Sequence, residues 1–469
     1  MRALREALRD GRLIEGLLAL YILWAIARVA VFVHANGYLP QPFFYQPADT
    51  FADWFNPAHW ARNRGTYDTW GSLYPPISFV LLRLLGVDSC YDSSGIDPSA
   101  GLAARSCDWV GVTSIFGFWI LDVVMVFLCF RRIDRSRSVA RTIAVGLGFP
   151  MLNALERGNL VLVSFACMVL AFGPLLRSSR LKALAAGCAV NFKVYLLAAI
   201  VPLVIKRRWS WVELALVLVV VVYIATFALL GRGSLYDLAN NIAAFSDLKP
   251  ATPLDIWMTG SYNPAIALLK NDDFPAVLFL GSQWRDGLLL GLPLLVHGAQ
   301  LTIIAALAIA ALRPEAVPSY RLVNLGVLLA EISSEAGAYS IVYHAFFVMM
   351  EPWRGLGRKF AIVVCYLIAL PIEIPIQDVA PVTRFSYIAD ADIIVQYYVG
   401  LTPFLRPLTT ILIAVALALV TMREVWLDVR LQGWAERWRM RYDAPLLPWV
   451  RRPTPGKYLA LESEEHRQE

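Results

Sequence analysis

The chain has 469 residues, of which 58% are hydrophobic and only 17% charged, with a net charge of +6. Soluble domains carry about 45–50% apolar and about 25% charged residues, so this composition excludes an ordinary soluble protein. The excess positive charge is gathered in short clusters between apolar runs, which suits a membrane topology and argues against nucleic acid as a partner.

The expected fold is all-α and polytopic, because a helix satisfies its own backbone in lipid. An apolar run over about 13–34 is long enough to cross, and no small-residue cleavage site follows it, so it reads as an uncleaved first helix. An outer segment, 35–107, comes next. Within it, DTFADWFNPAHWARNRGTYDTWGSLYPP (49–76) mixes Asp49, Asp53, His59 and Arg62 with Phe51, Trp54, Phe55 and Trp60. That pattern predicts an amphipathic interfacial helix over about 53–63, then a sharp entry at Tyr74-Pro75-Pro76 into a short apolar helix, 77–86. Cys90 and Cys107 bound a polar loop in this segment, where a disulfide and free thiols are both open readings; Cys129, Cys167, Cys188 and Cys365 lie in apolar runs.

A second helix over 109–130 returns to RRIDRSRSVAR. Several later runs are too short to cross alone and come in pairs around polar breaks: 142–155 with 160–176 around ERGN, 182–190 with 194–205 around NFK, and 322–333 with 341–350 around SSEAGAYS. Polar breaks at membrane depth are tolerated where they line a cavity, so three tips are expected to converge; short loops between tilted helices are the plainer alternative. Longer runs lie at 210–231, 287–312, 359–376 and 404–421, with further outer segments at 232–283 and 377–403. About 10–13 membrane helices are expected in one domain, 1–421, followed by a basic cytoplasmic tail, 422–469. Every basic cluster then falls on one side, which the positive-inside rule makes cytoplasmic, with both termini.

Asp53 is the leading candidate for a catalytic base, since a carboxylate beside the membrane can take a proton from an attacking hydroxyl. Asp49 is the alternate, and could instead cap a helix. Arg157 and Lys193 sit at the outer ends of short helices beside Asn159 and Asn191. Two such cations could hold a phosphate, or could simply snorkel to the interface. His344, one turn inside the third tip, could face the same cavity or be a bonded core residue. Glu335, Tyr339, Glu331 and Glu373 are further polar groups near apolar runs. Trp257, Tyr262 and Asn263 in the second outer segment could help hold a sugar, or be a passive loop. No metal-ligand spacing of Cys or His appears.

Asp53 with Gly65-Thr66-Tyr67 and Tyr74-Pro75-Pro76, then Arg157-Gly158-Asn159, then Gly187 through Asn191-Phe192-Lys193-Val194-Tyr195, resemble the membrane glycosyltransferases of family 87 over about residues 15–210. The resemblance implies the C-type glycosyltransferase architecture in a bacterial inner membrane, with the active site facing the periplasm or exterior. It implies an inverting transfer of a mannose- or pentose-like sugar from a polyprenyl-phosphate donor to a glycolipid or glycan acceptor, without a cofactor. Asp53 would be the base, Lys193 and Arg157 the phosphate-side cations. The chain departs from the family's S-P-x-x-W-x-H stretch, having Ser334-Glu335-Ala336-Gly337-Ala338-Tyr339-Ser340 with His344 displaced. Tyr262-Asn263-Pro264 stands where the family has N-Q-S. A transporter or flippase of a lipid-linked glycan, or a polymerase taking diphosphate-linked donors, are the alternative functions.

Overall fold

The computed structural model describes residues 10–43, 45–91, 97–246, 250, 252–271, 274, 276–334 and 337–434. The first helix, α1 (Arg12–Asn36), is followed by two short helices, α2 (Ala52–Trp60) and α3 (Pro76–Leu84), in the first outer segment. Helix α4 (Trp109–Ile133) starts where the Asp108 carboxylate accepts the Gly111 N–H at 2.9 Å, a side-chain cap for an otherwise orphan donor. Next come α5 (Ser138–Gly146), α6 (Phe149–Arg157), α7 (Val161–Phe172), α8 (Ser179–Phe192) and α9 (Trp209–Leu230). The second outer segment holds α10 (Leu235–Ser246), α11 (Asn263–Lys270) and α12 (Ala276–Leu280). The remaining helices are α13 (Ser282–Leu312), α14 (Ser319–Ser333), α15 (Ile341–Val348), α16 (Leu356–Ile368) and α17 (Thr402–Gln432).

Among the described residues, α1, α4, α9, α13 and α17 are long and apolar enough to cross a membrane. The pair α5 and α6, bent by 40° at its break, makes a sixth if taken as one span. The protein is thus a largely helical membrane protein, but the 10–13 crossings expected are not all separate full-length spans. Two of the short runs are packed inside the others: α7 and α15 are almost wholly buried. An element enclosed by protein has no need to match the bilayer thickness. The run expected as one helix over 194–205 is two 3-10 turns, Val194–Ala199 and Val201–Val204.

The helical class expected is what the structure has, with a few short strands added in the third outer segment: β1 (Pro375–Asp378) pairs with β4 (Tyr398–Gly400), and β2 (Val382–Ser386) with β3 (Ala391–Val395), both antiparallel. Val382, Thr383, Ile393, Ile394 and Val395 are β-branched, the residues that a pleated surface accepts best. Helix α17 runs past residue 421. Its last turns are clamped to the bundle by Arg321 on Glu424 and Arg313 on Asp428.

The two ends of the bundle differ in kind. At one end the basic clusters are buried in ion pairs: Arg141 meets Glu15 through two bonds of 2.8 and 3.1 Å, Arg321 meets Glu351 through two of 2.6 Å, and Arg358 adds to Glu351 at 3.1 Å. At the other end the three outer segments interlock. Gln41 exchanges two bonds of 2.8 Å with the Tyr398 backbone, Trp257 donates to Pro42, and Asn241 donates to Tyr67 and Ser72. Cys90 and Cys107 are joined in a disulfide within this end.

Glu15 has no exposed surface, and without Arg141 it keeps only Arg137 at 3.0 Å and the Tyr366 hydroxyl at 3.1 Å. Arg141→Ala is expected to destabilise the protein by about 1–3 kcal/mol, the loss of charge-assisted bonds to a buried carboxylate. The paired change Glu15→Leu with Arg141→Leu should cost less than either single change, read as melting temperature in detergent.

Candidate functional site

The site begins with a backbone knot. Phe51 precedes α2 in the left-handed region, with φ 63°, and its N–H donates to the Glu156 carbonyl at 2.8 Å. This joins the start of α2 to the end of α6. On the other side of the knot, Gly158 also has positive φ, 60°, and a Cβ there would lie 3.0 Å from Trp54 Cβ and 3.1 Å from Ile115. A residue without a Cβ is the natural occupant of such a turn. The turn lets the residues on either side of it, Arg157 and Asn159, reach the same carboxylate.

That carboxylate is Asp53, in the first turn of α2. Arg157 Nη2 donates to its Oδ1 at 2.7 Å and Asn159 Nδ2 donates to its Oδ2 at 2.6 Å. Asn159 Oδ1 in turn accepts the Val161 N–H at 2.9 Å, which fixes the amide on the start of α7. Asp53 keeps 21% of its side-chain surface exposed and Arg157 12%, so the pair is not sealed. Each oxygen has accepted one bond and retains lone-pair capacity for a substrate proton.

Lys193 ends α8, and its Nζ lies 4.7 Å from the centre of the Tyr74 ring and 5.6 Å from that of Tyr339. The Asp53 charge acts on both Lys193 and Tyr74. Tyr74 is presented by the turn before α3: Tyr67 donates its hydroxyl to the Tyr74 carbonyl at 2.8 Å, while Tyr67 and Tyr74 both meet Phe79 edge-on. Thus Asp53, Arg157, Asn159, Tyr74 and Lys193 do come together, and Tyr339 brings the third tip to them.

Asp49 lies beside this group without capping a helix, since α2 has no side-chain cap. Burial raises its pKa above the ordinary carboxylate value. The Arg157 charge opposes the rise, the Asp53 charge adds to it and the Arg105 charge opposes it.

Other expected residues are placed elsewhere. Asn191 spends both amide hydrogens on the Gly187 and Val219 carbonyls, at 2.9 and 3.0 Å, holding α8 against α9. Trp257 is buried, donates to Pro42 at 3.0 Å, and its carbonyl accepts from Arg406. Tyr262 donates to the Phe404 carbonyl and Asn263 to the Ser333 carbonyl, so both tie α11 to its neighbours. These four are framework residues in the structure. His344 is fully buried against Glu331, bonded through Nδ1. Glu335 lies outside the described residues.

Two groups escaped the sequence reading. Asp122 is fully buried in α4, with no hydrogen-bond partner on either carboxylate oxygen. Arg406 in α17 is 2% exposed, and its Nε and Nη2 also have none. The available signal was simple: each is an ionisable residue at the edge of or inside an apolar run.

Comparisons with family models, with curated proteins and with solved structures each returned no match. Among the described residues, no group of three or more His, Cys, Asp and Glu side chains is placed to hold a metal ion.

Asp49 binds its proton more tightly folded than unfolded. Its buried charge therefore opposes folding above the folded pKa, and that cost vanishes below the ordinary carboxylate value. Asp49→Asn should melt above the wild type at pH 7, with the gap closing as the pH falls toward 4.

Proposed function

We propose that the chain transfers a sugar from a polyprenyl-phosphate donor to a hydroxyl of a glycolipid or glycan acceptor, with inversion. The carrying observation is the Asp53 carboxylate held by Arg157 and Asn159 with the Lys193 cation inside its field. In this reading the acceptor oxygen attacks the anomeric carbon while the bond from that carbon to the phosphate oxygen breaks. The acceptor proton passes to Asp53. The electron pair leaves with the polyprenyl phosphate, whose added negative charge faces Lys193. Arg157 orients the base and adds positive potential, which is how charge developing in a transition state is stabilised without reorganisation. The side bearing the site would be the exterior or periplasmic face of a bacterial inner membrane, with the buried basic end in the cytoplasm, as the positive-inside rule favours. The architecture would be that of the C-type glycosyltransferases.

A second reading has its own support. Asp122 and the His344–Glu331 pair are ionisable groups within the bundle, and such groups in transporters carry ions or protons. A carrier of lipid-linked glycans would use them and would not break the sugar–phosphate bond.

Purified protein given a polyprenyl-phosphate sugar and a glycolipid acceptor separates the two: a transferase releases polyprenyl phosphate, a carrier does not. Asp53→Asn should lower transfer by about 10²–10⁴-fold with the melting temperature kept within a few degrees. Lys193→Ala should raise the donor KM more than the acceptor KM. Full turnover in Asp53→Asn together with its loss in Asp49→Asn would move the base to Asp49.

A further inference from the structure

A cavity of about 380 Å³ opens between the outer part of α1 and the β1–β4 sheet. Its wall carries Tyr38, Tyr45, Tyr397 and Tyr398, with Arg28 and Glu373 among the other lining groups. We infer that this cavity binds the headgroup of an anionic glycolipid: a hydroxylated ring against the tyrosines and Glu373, and its phosphate on Arg28.

Three observations carry this. Aromatic rings offer flat apolar faces with a polar edge, suited to the C–H faces and hydroxyls of a ring sugar. Glu373 has one oxygen committed, since its Oε1 accepts from the Ile374 and Thr402 N–H groups at 2.9 and 3.0 Å and from the Thr402 hydroxyl. Its Oε2 is buried with no hydrogen-bond partner. Arg406, whose own Nε and Nη2 lack partners, feels the Glu373 charge, yet the two make no direct ion pair among the described residues. A carboxylate oxygen left unsatisfied beside a cavity is costly unless a ligand donor reaches it. Arg28 is the third. It is exposed on α1 two turns before the helix ends at Asn36, stacked 5.4 Å from the Trp24 ring centre. A cation on an open face of a span at that depth suits an anionic lipid phosphate.

The cavity also adjoins the candidate site. Tyr45 lies two residues before the turn Pro47–Asp49 and senses the Asp49 charge. If the transfer reading holds, and this assignment of the occupant rests on it, the cavity is the acceptor subsite.

The test is native mass spectrometry of the full chain in phosphatidylcholine nanodiscs. Three probes are added separately: phosphatidylinositol (ring and phosphate), phosphatidic acid (phosphate alone) and glucosyl diacylglycerol (ring alone). Phosphatidylinositol should bind tightest. Arg28→Ala should weaken it about tenfold, the loss of one charge-assisted contact, and leave glucosyl diacylglycerol unaffected. Glu373→Gln, which keeps an acceptor at Oε1, should weaken both ring-bearing probes and spare phosphatidic acid. Arg28 is exposed, so its removal leaves the fold intact if Glu373→Gln does not. Equal binding of phosphatidic acid and phosphatidylinositol, or indifference of phosphatidylinositol to Arg28→Ala, overturns the assignment. Selective binding without any sugar transfer would sink the transferase reading and keep the cavity; transfer without selective binding would do the reverse.

Discussion

The Asp53–Arg157 ion pair is the joint on which the outer half of the molecule turns. It links a short helix lying in the first outer segment to the broken pair α5–α6, and it exists because the chain doubles back at Gly158. Removing either charge would leave the other partly desolvated beside Lys193. An ion pair this little exposed brings a small net gain at best, so its arrangement speaks for positioning more than for stability. What it positions is an acceptor of protons within reach of two cations.

The rest of the fold serves that placement by separating two kinds of electrostatics. At one end, Glu15, Glu351, Glu424 and Asp428 draw the arginine clusters into ion-pair networks. There the charges are structural: they lock α1, α5, α14, α16 and α17 together. At the other end some charges are incompletely paired, as at Glu373 and Arg406. Aromatic rings share the packing there, with Tyr67, Tyr74 and Phe79 on one side and Tyr38, Tyr45 and Tyr397 on the other.

Between the two ends, the short helices α7 and α15 carry a polar seam through the bundle. Tyr343 bonds Ser164, Tyr195 meets Tyr343 edge-on, and His344 holds Glu331 through Nδ1. The bonds made by Asn191, Trp257, Tyr262 and Asn263 share one lesson. A polar side chain at the end of a buried helix is usually needed to satisfy a backbone carbonyl, and that need is invisible until the neighbouring helix is in place.

Local pattern alone determined the membrane character, the largely helical class and the positions of α1, α4, α9, α13 and α17. Each of these depends on composition or run length, which are properties of a segment by itself. Tertiary structure alone decided which short runs are enclosed and which cross, that 375–400 pairs as strands, that α17 runs past residue 421, and which oxygen or amide meets which partner. Those outcomes depend on contacts between residues as much as 358 positions apart, such as Tyr38 with Gln396, and no periodicity within a segment encodes them.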